Sequence, residues 1–300
     1  MVTYRMPPPA ETQTCTDVLA CATTEIIALV LAFSTALFLF AILVLAAAHV
    51  RSARSETAEE RERVRLEAAA FAAFADRLTG LEARPSGTSS QHVGATTVVE
   101  TVTATPLLDV QTAYRETVMD VPHYDVEYGE PLAQNMAAEF GDDVASAIAT
   151  GQALTPQLKG TILQRSKCSH RLRLALLEHL DAEAADISKA AADYDRIADS
   201  VSRLEDEPIE EASFEDLVAE WYLLEDRERE CIDRLESRQE TIQSRQGLAK
   251  HFTDAPTLEE YLYRPLDVTY PVLADGTRLL ERVREAQSRV VLAIASLGRT

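Results

Sequence analysis

The residues able to do chemistry are few in this chain, and they are scattered. The six histidines stand at positions 49, 92, 123, 170, 179 and 251. Cys168 and His170 are two apart on a helical stretch, so they do not share a face and make no ligand pair. The chain has no G-x-x-x-x-G-K-S/T or G-x-G-x-x-G loop to cradle phosphates. It also lacks G-x-S-x-G, C-x-x-C and H-E-x-x-H. His179, two before Asp181, sits inside a long helical stretch with no nucleotide-binding motif after it and reads as a surface histidine. No catalytic, cofactor-binding or metal-ligating set is expected, and no enzyme activity.

The densest polar and aromatic cluster is Pro122–Glu130, PHYDVEYGE. Tyr124, Asp125, Glu127 and Tyr128 are its candidate partner surface, because exposed loops carry recognition residues. The same composition suits a connector whose tyrosines pack on a bundle while their hydroxyls stay wet. Both readings stay open.

Before this cluster comes an apolar run. Ile26–Ala48 is 23 residues without a charge, with only Ser34 and Thr35 polar. At about 1.5 Å per residue it reaches roughly 35 Å, enough to span a lipid bilayer. A cleaved signal peptide fits less well, since its leader should be basic and its apolar core shorter. Arg51 and Arg54 follow the run, and only Arg5 precedes it. The basic flank places residues 1–25 outside and the rest in the cytoplasm, as a single-pass protein of the cell membrane. Cys15 and Cys21 would then form an external disulfide.

The remainder predicts an all-α protein: a helix following the membrane segment, then an elongated antiparallel bundle with coiled-coil-like packing. Over residues 49–83, Val50, Thr57, Val64, Phe71 and Leu78 recur every seventh position, with Ala53, Phe74 and Leu81 beside them. Glu60 and Glu67 break that seam. It predicts parallel pairing with a second copy or, alternatively, packing along its own domain. Residues 84–106 are rich in Ser, Thr and Gly and read as a flexible linker. The bundle domain is expected over 107–300. Its helices run over 107–120, from Pro131 to Phe140, from Asp142 to Gly151, and from Thr155-Pro156 to Glu205. A further helix starts at the Ser213/Asp216 cap and runs to about Gly247, with Glu228 and Arg238 interrupting its seam. An irregular stretch at 248–270 precedes a final helix on Leu280, Val283, Val290, Ile294 and Leu297. Trp221 reads as core, and Cys168 and Cys231 as buried thiols.

Acids outnumber bases by 49 to 29, and only four of the bases are lysines. A net charge of −20 excludes a nucleic-acid binder, which needs a basic face. Such a surface stays hydrated at molar salt, where charge repulsion is screened within roughly 3 Å. Tyr114–Gly141, Thr155–Lys159 and Phe214–Ile242 together resemble a domain of unknown function found in halophilic archaea. The resemblance covers roughly residues 107–298 and leaves the apolar run and the linker outside. It implies a salt-rich environment and adds no activity, cofactor or site residue. The resulting expectation is a membrane-anchored, non-enzymatic scaffold whose helices meet unknown protein partners. A signalling component is the second class and an unrecognised enzyme the third.

Overall fold

The computed structural model describes residues 48–83, 105–151, 153–206, 209, 212–249 and 256–297. The apolar run before Ala48, the spacer up to residue 104, and Cys15 and Cys21 lie outside them. Nine helices and no strand are found among the described residues. They are α1 (Ala48–Gly80), α2 (Thr105–Arg115), α3 (Tyr124–Glu127), α4 (Leu132–Phe140), α5 (Asp142–Thr150), α6 (Pro156–Asp206), α7 (Phe214–Ala249), α8 (Leu258–Leu262) and α9 (Pro271–Leu297). No helix among the described residues is long and apolar enough to cross a membrane.

The helix boundaries follow local chemistry. Thr155 Oγ1 accepts the N–H of Leu158 at 3.1 Å, and Pro156 opens α6. Ser213 Oγ accepts the N–H of Asp216 at 3.2 Å at the head of α7. The stretch expected to be irregular contains α8, because Thr257 and Glu260 close a reciprocal capping box.

The chain divides into two compact units. The first holds residues 50–193 and 237–272; the second, among its described residues, holds 48–49, 194–236 and 273–297. In the first unit Val50, Ala53, Thr57, Val64, Phe71, Phe74 and Leu78 of α1 are all buried. Phe74 stacks on Phe140 at 5.9 Å and meets Tyr114 edge-on at 5.1 Å. Val110, Met136, Val144, Ile148 and Ile162 complete this core. The seam that suggested pairing with a second copy is therefore buried against its own chain.

In the second unit Leu279, Val283, Ala286 and Val290 form the buried face of α9. That face includes Leu279 rather than the expected Leu280, and Leu297 is exposed. Tyr194 lies so close to Gly276 that a Cβ there would meet its hydroxyl, while the Cys231 thiol donates to the Gly276 carbonyl at 3.4 Å. Asp275 is fully buried and pairs with His49 Nδ1 at 2.7 Å. Trp221 is half-buried, correcting its core assignment, and packs edge-on against exposed Tyr222 at 5.3 Å.

Candidate functional site

The seam acids Glu60 and Glu67 organise the first unit's polar cluster. Glu67 lies on the inner face of α1, its side chain 12% exposed. Its Oε1 meets His123 Nε2 at 3.1 Å and accepts the Tyr128 hydroxyl at 2.8 Å. Its Oε2 accepts from Arg173 Nε of α6 at 3.1 Å. The same guanidinium forks onto Glu139 of α4, with Nη1 at 3.1 Å and Nη2 at 2.6 Å, and covers the Phe71 ring at 4.6 Å. Ser169 donates to Glu139 at 2.8 Å. Arg63, one turn before Glu67, bridges Glu60 at 2.9 Å and Glu127 at 3.1 Å. Tyr261 donates to Glu60 at 2.6 Å.

Local geometry aims these groups. The single-turn α3 sets His123 and Glu127 four apart on one side, facing α1. The turn is closed by Gly129, whose φ of 55° is left-handed and whose N–H reaches the Tyr124 carbonyl at 3.0 Å. A Cβ at Gly129 would also crowd the Asp125 carbonyl at 3.2 Å. Tyr124 is buried, and its hydroxyl donates to the Glu130 carbonyl at 3.0 Å.

Burial pushes the Glu67 carboxyl up. The hydrogen bonds from His123 and Tyr128 and the Arg173 guanidinium outweigh it, so the net shift is downward. Burial and the Glu67 charge hold the Tyr128 phenol well above its ordinary value. Burial would lower Arg173, yet Glu139 and Glu67 raise it, so this guanidinium stays charged.

Of the four residues proposed from sequence as a partner surface, Tyr124 is core, and Glu127 and Tyr128 are tied to Arg63 and Glu67. Asp125 is exposed, beside Val126 at 89% exposure. The loop is thus a connector on its inner side and an open surface on its outer side. The sequence reading nominated no metal ligands. The fold nevertheless brings ligand atoms of Glu67, His123 and Glu127 within 4.8 Å of one another. Two signals were legible: the i, i+4 spacing of His123 and Glu127, and a carboxylate on a buried seam. The 56-residue separation between Glu67 and His123 was not.

A second acid, Glu183 of α6, sits in a sealed knot of the same unit. Arg238 of α7 grips it with two nitrogens, at 2.6 and 2.9 Å, and reaches Asp186 at 2.8 Å. Arg245 joins Glu183 at 2.5 Å and Glu259 of α8 at 3.0 Å. The Tyr263 hydroxyl also donates to Glu183. The Glu183 and Arg238 side chains are fully buried. Burial pushes the Glu183 carboxyl up, but the Arg238, Arg245 and Tyr263 bonds together bring it down to about 2. In the second unit, a shallow cleft lined by Glu205, Arg284, Glu285, Ser288 and Arg289 carries salt-bridged side chains.

Both described cysteines are free thiols. Cys168 is exposed, correcting its assignment as buried, and burial pushes the Cys231 thiol up to about 11.

The architecture is that of an all-helical protein whose charged side chains are interlocked across helices. The chain matches a domain of unknown function, DUF7260, over residues 48–287 and belongs to that family. No curated protein and no solved structure matches it. The family domain begins at α1 rather than near residue 107, since α1 supplies Phe71, Phe74 and Leu78 to the core. The helix expected to lie outside the domain is therefore part of it.

Proposed function

We propose that this protein is a non-enzymatic interaction or scaffold protein, held at the cell membrane by residues 26–48. Its helical domain lies in the cytoplasm of a salt-rich cell. The observation that carries the interaction reading is the two-sided loop at 122–130. Its inner side chains are consumed by bonds to α1 and by its own turn. Its outer side presents Asp125 and a Val126 that is 89% exposed. In a partner-binding turn an apolar side chain so placed serves as a small anchor. Arg51 and Arg54 are both exposed at the head of α1, which supports a cytoplasmic basic flank.

The test is capture by the full chain, solubilised in detergent at molar salt, with a photo-crosslinking residue in place of Asp125. One fixed partner is expected at stoichiometric yield, and Val126→Asp should abolish it while circular dichroism stays unchanged. A partner retained by Val126→Asp, or no crosslinked partner in the unsubstituted background, sinks the loop as the interaction surface. An impermeant thiol reagent on intact cells tests the topology. Labelling of exposed Cys168 in place of Cys15 and Cys21 would reverse it.

A further inference from the structure

We propose that Glu67, His123 and Glu127 form a binding site for one first-row divalent transition-metal ion, of the zinc or manganese class. Three observations meet at this point. First, the ligand atoms already converge. All lie within 4.8 Å of one another, and His123 Nε2 and Glu67 Oε1 are 3.1 Å apart. Atoms bound to a common ion at about 2.0–2.2 Å stand roughly 3–4 Å apart, so only the Glu127 carboxylate has to close in.

Second, the charges do not balance without a cation. Four carboxylates, Glu60, Glu67, Glu127 and Glu139, face two guanidiniums, Arg63 and Arg173. With a neutral imidazole this leaves an excess of two negative charges, and the Glu67 and His123 side chains are each only 12% exposed. A divalent ion cancels that excess. A monovalent ion would leave half of it and would gain little from an imidazole nitrogen, which suits transition metals.

Third, outer donors hold the ligands in place. Arg173 takes the second oxygen of Glu67, while Tyr128 steadies the first. Such support fixes ligand orientation and is itself part of a metal site. As Glu127 closes in, Arg63 gives way: it releases Glu127 and keeps Glu60, which it already contacts at 2.9 Å. The ion takes the Nε2 lone pair of His123 in place of the hydrogen bond to Glu67, with the ring proton shifted to Nδ1. Glu127 is the most exposed of the three ligands, at 35%, so water from its side completes the coordination. The ion would bridge α1 and the loop. This inference stands apart from the scaffold reading and holds whichever partner the loop meets.

The test uses the full chain in detergent, stripped with chelator, at a salt concentration where circular dichroism shows it folded. Titration with zinc acetate in a calorimeter should give one ion per chain with micromolar or tighter affinity. His123→Gln and Glu127→Gln should each weaken it by at least about tenfold, while His179→Gln, at an exposed histidine, should leave it unchanged. Cobalt(II) should give d–d absorption that His123→Gln abolishes. Should His123→Gln fail to fold, Glu127→Gln decides, because that carboxylate lies at the solvent edge. Zinc binding weaker than micromolar in the unsubstituted chain, or equal binding by the Glu127→Gln variant, overturns the site and leaves a hydrogen-bonded cluster only.

Discussion

Glu67 and Glu183 are built alike and sealed differently. Each interrupts or borders an apolar seam of a long helix. Each accepts a tyrosine hydroxyl from a distant segment, Tyr128 in one case and Tyr263 in the other. Each is gripped by arginine from another helix. Around Glu183 the side chains close completely, and two guanidiniums converge on it. Around Glu67 the cluster stays ajar at Glu127, an imidazole replaces one guanidinium, and negative charge is left over. The same device therefore serves two ends. Shut, it fixes helices together; ajar, it keeps the capacity to take a ligand.

The contrast breaks first at the sealed knot. Glu183→Leu should cost about 3–5 kcal/mol in denaturant unfolding, because Arg238 is left buried without its main counter-charge. Adding Arg238→Met should recover most of that loss, and a double variant no better than the single one would deny that the unpaired charge is the cause. Acid is expected to act next. The folded Glu183 carboxyl lies at about 2, below its ordinary value of 4.5. Its contribution is therefore fully present above about 4.5 and fades as pH falls toward about 2, amounting to roughly 3 kcal/mol. Glu183→Gln should flatten the stability profile in that window and not above it. At the half-open cluster, Tyr128→Phe removes one hydrogen bond and should cost about 1 kcal/mol. A loss as large as that of Glu183→Leu would mean that this cluster is as sealed as the other. Smallest of all, Arg65→Ala breaks only the exposed pair with Glu62 and should leave the unfolding midpoint unmoved.

The periodic part of the molecule was readable from sequence, and the polar part was misread for an instructive reason. α6 was expected from Thr155-Pro156 to Glu205 and runs Pro156–Asp206. Heptad spacing and capping residues are local, so they survive in a single sequence. Glu60, Glu67, Glu228 and Arg238 were visible too, but as defects in apolar stripes. Each is in fact paired across helices: Glu60 with Tyr261, Glu67 with His123, Glu228 with Arg284, Arg238 with Glu183. Their partners lie 55 to 201 positions away, beyond any spacing rule. Trp221 failed in the opposite way. Its place in the stripe was right, but with only Leu217 and Leu224 fully buried beside it the indole stays half in water.

The fully buried Arg238 has one more consequence. Helices rich in Ala and Leu read much the same when one slides along another by a heptad, so apolar seams alone leave the alignment ambiguous. A slide of seven residues in one direction would set Arg238 against Leu176 and leave Glu183 facing Cys231. That would strand a guanidinium and a carboxylate in apolar surroundings at a cost of several kcal/mol, on the order of 3–5. Sliding the other way puts Arg245 in the place of Arg238 but moves Arg238 onto Ala190. The pair thus works as the start signal of a reading frame. It adds little to how firmly α6 and α7 adhere, and it decides which of several near-identical alignments the two helices keep.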